Sequence, residues 1–538
     1  MSGPGLTSYD RDPYPSGPYA QSHPGRLSAI GTLFGMRPPD PRGARVLELG
    51  CADGSNLIPM AVEMPGCALV GVDLSSRQVA RGTEMIDRLG LSNVRLECRD
   101  IRAVDENWGP FDYVIAHGVF SWVPRDVQDS LLALCRRCLG EQGIAYVSYN
   151  TYPGWHVREM LRRMMLYHAG AAPDAAQRAA QARALVRFLA ECVPNDNDPY
   201  GVLLHKELRE MKGWDDAYLR HDALEDVNEP VYFHEFAERA AGHGLRYLGE
   251  AEFHTMVGDN LPRKAAETLR RVTTDLIRTE QYMDFVRNRT FRQTLLCREE
   301  VRLERRVTAA RLAGLWVSAP LVEQGQPPGD GPTPDGPTPD GSSAVFAHPA
   351  GGTIRAGSAV ARAAFQRIAE AWPGAVEVSR LVEPAAGAAG ALANTLLECV
   401  SRGLLVPSSV PPPCTPRPGT CPLASPLARA QAQTSLQVTT LRHEVVRLDP
   451  LHAHLLPLLD GTRTAQALVE DLVPAAVSGP LSVREGGEAI RDPGRLRPLL
   501  REALRRSLEQ LAGAGLLLEA SPRAADAGYP AVRVVPPA

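Results

Sequence analysis

Between Arg45 and Ser148 the sequence alternates short apolar runs with amphipathic segments, and this alternation constrains the fold more than any other feature. Five of the apolar runs are typical of buried strands, namely ARVLELG, ALVGVDL, VRLECRDI, FDYVIAHG and GIAYVSYN. The segments between them, such as SRQVARGTEMIDRLG, have the apolar spacing of helices. Strands that alternate with helices predict an α/β fold, in which helices cover both faces of a parallel sheet.

A glycine-rich turn, VLELGCADG at residues 46–54, connects the first strand to the first helix. In an open parallel sheet, ligands bind outside the carboxyl ends of the strands, where this turn lies. Gly50 would let the backbone turn tightly against a ligand, and Gly54 would let the helix approach closely. Asp73 ends the second strand and Asp100 the third. Asp73 follows Gly50 at close to the spacing of about 20 residues that is typical of a ribose-binding carboxylate.

Carboxylates near this turn indicate which kind of nucleotide it binds. A dinucleotide site uses GxGxxG and keeps the helix N-terminus free for a pyrophosphate, whereas this chain has GxAxG with Glu48 and Asp53 beside it. Carboxylates repel phosphates and suit a ligand with an ammonium and a sulfonium group, such as S-adenosylmethionine (SAM). In a SAM site, Asp73 would bind the ribose hydroxyls, Asp100 the adenine amino group, and the glycine turn the methionine moiety. A sheet of this kind without a cofactor is the alternative.

The rest of the chain divides by composition, as its 538 residues require more than one core. Residues 157–322 are mostly amphipathic and helical, whereas GQPPGDGPTPDGPTPDGSS has almost no apolar content and is expected to be a solvated linker. Two related halves follow. The first contains FQRIAEAWPGAVEVSRLV and LLECVSRGLLVP, and the second HLLPLLDGTRTAQALVEDLV and LEQLAGAGLLLE. Each half resembles a winged-helix unit, in which two helices precede a third that breaks at Gly into an apolar strand.

These patterns predict six segments. They are an N-terminal arm (1–44), a sheet domain (45–165), a mainly helical domain (166–322), a disordered linker (323–343), a winged-helix-like α+β region (344–520) and a disordered tail (521–538). A Pro-rich linker at about 407–433 separates the two halves of the α+β region.

The charge balance and the lack of a predicted membrane span or secretory signal disfavour several classes of function. The chain has 58 basic and 62 acidic residues, a balance that does not suggest binding to nucleic acid or to an anionic membrane. No apolar run approaches the roughly 18 residues that span a bilayer. The N-terminal segment MSGPGLTSYDRDPYPSGPY has neither the apolar core nor the basic lead-in of a secretory signal. We therefore expect a cytoplasmic protein.

No metal site is predicted. Cys135 and Cys138 form a CxxC, but it lies in a predicted helix and has no partner pair. The segment RHDALEDVNEPVYFHE lacks a metal-binding spacing and is expected to be a solvated or partner-facing surface; its histidines and acids include His221, Asp222, Glu225, Glu229, His234 and Glu235.

Segments across most of the chain resemble class I SAM-dependent methyltransferases that carry a methyltransferase regulatory domain, including rickettsial protein lysine methyltransferases. The resemblance lies in YAQSHPGRLSAIGTLFG, VLELGCADGSNLIPMA, VGVDLSSRQVARG, FDYVIAHGVFSWVP, YVSYNTYPGWHVREMLRRMMLYH and DDAYLRHDALEDVNEPVYFHEFAERAAGHGLRYLGEAEF. The last of these matches the regulatory domain, and the winged-helix-like part resembles the C-terminal region of the lysine methyltransferases. QSHP, AHGVFSWV and YNTYPGW are the specific motifs, since the sheet motif is common to the whole superfamily. Ala52, where many members have Gly, and the long linker depart from the family pattern.

The resemblance implies a Rossmann-like class I methyltransferase sheet with its site at the strand ends. The arm, with QSHP, would fold over the cofactor, although Ser22 could instead simply cap a helix. The implied cofactor-binding residues are Gln21, His23, Glu48, Gly50, Gly54, Asn56, Asp73, Leu74, Asp100, Ile101 and His117.

Strands four and five would flank the transferred methyl group. His117, Tyr149, Asn150 and Tyr152 are expected to position the reactants, and no strong general base is identified. The implied substrate-binding wall is aromatic, and consists of Phe120, Trp122, Tyr152 and Trp155. The alternative is structural, with the two tryptophans as packing anchors and His117 as a support for its loop.

The sequence thus predicts a SAM-dependent methyltransferase that acts on lysine side chains of a protein. A small-molecule (natural-product) methyltransferase and a non-catalytic, SAM-sensing regulatory protein remain as alternatives. The presumed second helices of the winged-helix-like units, VEVSRLV and RTAQALVEDLV, have acids beside their few basic residues, so they do not predict DNA recognition. The sequence predicts no oligomeric state.

Overall fold

A computed structural model of the chain describes residues 16–170, 172, 174–194, 198–211, 213–214, 219–220, 224–225, 227–324, 343–485 and 488–519. Some of the predictions concern segments outside these residues. They are the first 15 residues of the arm, His221 and Asp222 of the polar cluster, the linker between 325 and 342, and the tail at 521–538.

Seven strands form one sheet: β1 (Arg45–Leu49), β2 (Ala68–Asp73), β3 (Val94–Cys98), β4 (Phe111–Ala116), β5 (Leu139–Asn150), β6 (Leu245–Glu250) and β7 (Phe291–Arg298). Their order in the sheet is β3-β2-β1-β4-β5-β7-β6. The first five strands are those that the sequence predicts, and they are parallel to one another. β7 is antiparallel to both of its neighbours, β5 and β6.

Helices cover both faces of this sheet, and the first four are α1 (Pro24–Leu33), α2 (Leu57–Glu63), α3 (Ser76–Leu89) and α4 (Arg125–Cys138). α3 begins where the Ser75 side chain accepts a hydrogen bond from the Gln78 N–H, and it ends at Gly90, which has a φ of 65°. Alternate residues of β4 belong to two different core clusters. Both faces of the sheet are therefore buried, which explains the nearly continuous apolar runs of its parallel strands.

The segment after β5 forms a small helical unit and then returns to the sheet. α5 (Trp155–Ala169), α6 (Ala175–Cys192) and α7 (Pro199–Met211) share a separate core that includes Leu161 and Leu204. α8 (Phe233–Gly242), α9 (Arg263–Val272) and α10 (Leu276–Arg287) then lead into and between β6 and β7.

The sequence analysis misses β6 and β7, which belong to the part of the chain expected to be mainly helical. A buried ion cluster fixes β7 in place. The Arg292 guanidinium on β7 lies 2.6 Å from Glu250 Oε1 at the end of β6 and 2.8 Å from Asp284 Oδ2 on α10. β7 pairs with β5 across the whole helical segment between them, so no local periodicity predicts that β6 and β7 join the sheet.

The first half of the C-terminal region contains β8 (Trp316–Ser318), β9 (Val322–Gln324), β10 (Ala344–Ala347), β11 (Thr353–Ala356), α11 (Ala359–Ala371), β12 (Val376–Glu377), α12 (Val378–Val382), α13 (Ala389–Ser401) and β13 (Val406–Ser408). The second half contains α14 (Pro426–Gln431), β14 (Gln437–Thr439), β15 (Val445–Arg447), α15 (Pro450–Leu455), α16 (Ala465–Ser478), β16 (Arg484–Glu485), β17 (Glu488–Ala489) and α17 (Pro493–Gly513). Each half places an antiparallel hairpin before three helices. A hairpin followed by three helices is therefore common to the two halves.

The Pro-rich segment at about 407–433, which extends into the second half, packs against the sheet domain. It contains α14, whose residues from Pro426 to Ala430 are buried and which contacts α2 and α3. The Ser409 N–H donates a hydrogen bond of 2.9 Å to the Gly25 carbonyl in α1. None of the helices in the described ranges is long and apolar enough to cross a membrane.

Candidate active site

A cavity of about 460 Å³ lies at the carboxyl ends of the parallel strands. Each of these strands places a residue at its wall: Gly50 after β1, Leu74 after β2, Ile101 after β3, His117 after β4 and Asn150 at the end of β5. The fold therefore gathers residues that are far apart in sequence at the edge where such sheets bind ligands.

The glycine turn forms one wall of the cavity and requires Gly50. Gly50 has a φ of 72°, and a Cβ at this position would lie 2.4 Å from Val119 Cγ2. Ala52 also has a positive φ, of 50°, and its N–H donates a hydrogen bond of 2.9 Å to Asp73 Oδ2. Asp73 Oδ1 accepts a second bond, of 2.8 Å, from the Ser75 N–H. The carboxylate of Asp73 thus holds the glycine turn against the end of β2.

Glu48 is buried in the wall of the cavity, with 3 % of its surface exposed. Its Oε1 accepts a hydrogen bond of 2.7 Å from Asn56 Nδ2, and its Oε2 is buried without a hydrogen-bond partner among the described residues. Burial, together with the charges of Asp73 and Asp53, raises the pKa of Glu48 to about 8 against the effect of the Asn56 hydrogen bond. A buried carboxyl group with an unpaired oxygen favours a ligand that brings a positive charge or a hydrogen-bond donor.

The N-terminal arm contributes Ser16, Gly17 and Tyr19 to the cavity wall. Two predicted arm residues lie elsewhere. The Gln21 side chain lies beside the Tyr146 hydroxyl. His23 caps α1, since its Nδ1 accepts a bond of 3.1 Å from the Gly25 N–H. His23 thus has the capping role that the sequence analysis assigned to Ser22 in its alternative, and it does not line the cavity.

His117 lies at the wall as an uncharged imidazole. Its Nδ1 is 2.8 Å from the Tyr146 hydroxyl, and its ring stacks on Tyr19. Burial lowers the pKa of His117 to about 3, so the ring is neutral at physiological pH. It can position a reactant through a hydrogen bond, but it is too weak a base to accept a proton from an ammonium group.

The aromatic wall is smaller than predicted. Trp122 and Trp155 line the cavity together with Asn150. Asn150 Nδ2 donates a hydrogen bond of 3.1 Å to Asn228 Oδ1. Trp155 is 5 % exposed, and the Arg158 guanidinium lies 5.5 Å from its ring centre.

Phe120, predicted in the aromatic wall, and Tyr149, predicted to position the reactants, do not line this cavity. Tyr149 stacks on Phe236 at 4.1 Å, and its hydroxyl lies 3.0 Å from Thr294 Oγ1. Phe120 is fully buried with its ring edge toward Phe236. Successive side chains of a strand point to opposite faces, so Tyr149 must face away from the side where Asn150 meets the cavity.

Tyr152 lies outside the cavity wall as well. Its hydroxyl donates a hydrogen bond of 2.8 Å to Glu159, and its ring stacks on His156 at 3.9 Å and lies 5.2 Å from Tyr232. These residues form an outer aromatic group at the start of α5. The prediction that Tyr152 lines the acceptor pocket is therefore not supported by its position.

Two further cofactor predictions fall next to the wall rather than in it. Asp100 accepts hydrogen bonds from the Arg102 N–H at 2.8 Å and from its guanidinium at 2.7 Å, while the neighbours Arg99 and Ile101 line the cavity. Gly54 serves close packing, because a Cβ there would lie 2.9 Å from Leu96 Cδ1.

The cavity also includes residues that the sequence analysis did not single out: Ser16, Gly17, Tyr19, Cys51, Gln78, Arg99, Gly118, Val119, Val123, Arg158 and Phe291. Five of them adjoin a predicted residue in sequence, so position alone would find them: Cys51, Arg99, Gly118, Val119 and Val123. Phe291 could not be found in this way, since it opens β7. Within the described ranges, no group of three His, Cys, Asp or Glu side chains could hold a metal ion.

Three family models match separate parts of the chain. Residues 46–143 match a methyltransferase domain, and residues 215–298 match a predicted methyltransferase regulatory domain. Residues 421–516 match the C-terminal winged-helix domain of PKMT.

Similar proteins occur in Rickettsia. The chain is 44 % identical over 299 residues to the uncharacterized protein RP789 of Rickettsia prowazekii, a match that covers 56 % of this chain and 54 % of that protein. It is 37 % identical over 241 residues to RP028 of the same organism, covering 45 % of this chain and 96 % of RP028. The chain therefore spans about half the length of RP789 but nearly all of RP028.

A solved structure resembles almost the whole chain. PKMT2 from Rickettsia typhi in complex with AdoHcy aligns with a TM-score of 0.83 and 30 % sequence identity, over 94 % of this chain and 100 % of that chain.

Proposed function

Because the chain belongs to the class I SAM-dependent methyltransferases that carry a methyltransferase regulatory domain and a PKMT winged-helix domain, we propose that it methylates lysine side chains of a protein. The family, the enzyme class, the cofactor SAM and the fold class agree with the sequence predictions and are confirmed. The lysine acceptor and the protein substrate are the proposal.

The residues of the cavity fit SAM, which supplies a methyl group bound to a sulfonium sulfur. The observation that carries this fit is Glu48, a residue of the cavity wall whose buried Oε2 has no hydrogen-bond partner among the described residues. Gly50 lines the cavity without a side chain, and a Cβ there would lie 2.4 Å from Cγ2 of Val119 in the same wall. The residues at the wall that would hold the cofactor are Glu48, Gly50, Asn56, Asp73, Leu74, Ile101 and His117.

The protein's own residues favour an amine that is desolvated rather than deprotonated by a strong base. Lysine has an ordinary pKa of about 10.4, so it must lose a proton before its nitrogen can attack. Burial lowers the pKa of His117 to about 3, so this imidazole cannot remove the proton from a lysine ammonium group. Trp122 and Trp155 would instead exclude water from the amine, which lowers its pKa, and would orient it by contact with their ring faces.

The likeness to PKMT2 over the length of both chains supports a protein acceptor. The C-terminal winged-helix domain supports it too, since the matching model is that of PKMT. A small-molecule acceptor is supported by no comparable feature in the described part of the chain.

The test is incubation of the full chain with methyl-labelled SAM and a lysate of the source organism. We expect label in N-methyl-lysine residues of a protein, identified by mass spectrometry of the protein and small-molecule fractions. The Asp73→Ala variant is the matched control, because it removes the side chain that holds the glycine turn.

Other results would each contradict the proposal in a different way. Label confined to small molecules would favour the natural-product alternative. AdoHcy binding without any transfer would favour a SAM-sensing regulatory protein.

A further inference from the structure

The turn between β14 and β15, residues 440–444, carries two side chains into the junction between the C-terminal region and the rest of the protein. It is closed by hydrogen bonds from the Thr440 N–H to the Glu444 carbonyl, at 2.8 Å, and from the His443 N–H to the Thr440 carbonyl, at 3.0 Å. The Arg442 guanidinium donates a hydrogen bond of 2.8 Å to the Pro373 carbonyl in the first half of the C-terminal region. The turn is thus held in one conformation.

His443 is the buried residue of this turn. It has a φ of 62° and is 2 % exposed. Residues other than Gly are uncommon at such angles, although histidine is among those that are enriched there. Burial, with the charges of His23 and Arg26 nearby, holds the pKa of His443 well below its usual range, so the ring is neutral and carries one N–H. Its edge meets the ring of His23 in the arm, with the ring centres 5.5 Å apart.

The partner of His443 is Asn56, a residue of the cavity wall, and the orientation of this amide follows from its neighbours. The Tyr19 backbone N–H, which can only donate, lies 2.9 Å from Asn56 Oδ1. Asn56 Nδ2 is then the donor in its hydrogen bonds to Glu48 Oε1, at 2.7 Å, and to Ser22 Oγ, at 3.1 Å.

His443 is therefore the donor in its bond to Asn56. Its Nε2 lies 2.7 Å from Oδ1, which can only accept, so the proton must be on Nε2. Nδ1 is buried without a hydrogen-bond partner among the described residues, as an unprotonated ring nitrogen can be.

We infer that the winged-helix domain completes the cofactor site, with His443 as a positioning residue that acts through Asn56. The side-chain amide of Asn56 joins the C-terminal region to Glu48 on β1 and to Tyr19 in the arm. Asn56, Glu48 and Tyr19 all line the cavity. The Nε2–H of His443 holds the Asn56 carbonyl, and Asn56 in turn holds the carboxyl group of Glu48. Binding of the cofactor and docking of the winged-helix domain should therefore favour each other. The inference rests on the SAM site and not on the choice of acceptor.

The test measures AdoHcy binding by calorimetry, and thermal melting, on variants of the full chain. His443→Ala removes the donor, whereas the side-chain amide of His443→Gln can donate from a similar position. We expect the Ala variant to bind AdoHcy about 3- to 30-fold more weakly, as for the loss of a buried hydrogen bond, and the Gln variant to recover most of the affinity. Arg88→Ala is the matched control, because it removes a hydrogen bond to Gln433 across the same junction without contact to Asn56; its affinity should change less than about twofold.

A purely structural role for His443 predicts a different result. The affinities would then follow the melting temperatures, with Gln no better than Ala at equal stability, and this would overturn the inference. Wild-type affinity in a folded His443→Ala variant would overturn it as well. If the Ala variant does not fold, the AdoHcy affinities of His443→Gln and His443→Met are compared instead. Met fills the space but cannot donate a hydrogen bond, so equal affinities of these two variants would overturn the inference. Failure of the wild type to bind AdoHcy would instead overturn the methyltransferase assignment, and this inference with it.

Discussion

The ring of Tyr19 lies over the imidazole of His117, with the ring centres 3.5 Å apart and the planes inclined by 24°. Tyr19 belongs to the arm and His117 to the end of β4, and both line the cavity. The backbone of Tyr19 is fixed independently through its N–H bond to Asn56. The arm therefore covers the cavity through a residue that both its backbone and its side chain attach to the sheet domain.

Replacement of this ring should weaken the cofactor site without unfolding the protein. We expect Tyr19→Ala to lower the affinity for AdoHcy by about 2- to 10-fold, since a stacked pair contributes about 0.5–1.5 kcal/mol. Tyr19→Phe keeps the ring and should remain close to the wild type. Calorimetric titration of both variants provides the check, and equal affinity in Tyr19→Ala and wild type would show that the arm does not hold the ligand.

Asp73→Ala should reduce AdoHcy affinity by about tenfold or more, because the glycine turn loses the acceptor of the Ala52 and Ser75 N–H groups. The matched control is Asp112→Ala. Asp112 also accepts a backbone N–H bond, of 2.8 Å from Arg45, but it lies at the opposite end of the sheet. The control should lose stability and keep its affinity. Micromolar binding of NAD to the wild type would contradict the choice of cofactor that underlies this prediction.

The affinity for SAM should rise with pH up to about 8. Glu48 has a pKa of about 8 in the free protein, so its carboxyl group is mostly protonated at neutral pH. A cationic ligand favours the carboxylate and lowers this pKa in the complex. Binding therefore releases a proton below pH 8, and log affinity should increase by up to about one unit per pH unit and then level off.

Calorimetry in buffers with different ionisation enthalpies measures this proton release directly. Glu48→Gln provides the control, since its amide does not titrate and its affinity should be nearly independent of pH in the same range. Proton uptake on binding, or an unchanged profile in the Gln variant, would rule out Glu48 as the group responsible.

Trp155 and Tyr152 should differ in their effect on methyl transfer, although they are close in sequence. Trp155 lines the cavity, whereas the Tyr152 hydroxyl bonds Glu159 outside it. We expect Trp155→Leu, which has no aromatic face, to slow single-turnover transfer by about 5- to 30-fold, the loss of a contact of about 1–2 kcal/mol. Tyr152→Phe should change the rate by less than about threefold. A slower Tyr152 variant with a normal melting temperature would place the path of the acceptor along the outer aromatic group.

The parts of the site that could be predicted from the sequence are local. Gly50, Glu48 and Asp73 stand at strand ends that apolar runs define, and the topology of a parallel sheet brings strand ends together. The side of β5 that faces the cavity could not be predicted. This strand is buried on both faces, so its pattern does not show whether Tyr149 or Asn150 points to the ligand.

Long-range packing accounts for the other errors. His23 was expected at the cofactor, but it caps α1 and meets His443 from the far end of the chain. β6 and β7 join the sheet through pairings across a helical segment. The spacing of residues within one segment does not indicate such contacts, because neither partner differs from its sequence neighbours in a way that marks the contact.

The place of β7 between β5 and β6 has a consequence for synthesis of the protein. When the ribosome has released β5, one edge of that strand has no neighbour, since β7 has not yet been made. At about 5–20 residues per second, the delay before β7 emerges is roughly 7–30 s. During this interval β5 presents unpaired backbone groups that other chains can bind. The nascent chain should therefore depend on chaperones in this window, and translation that stops before Phe291 should leave an aggregation-prone fragment.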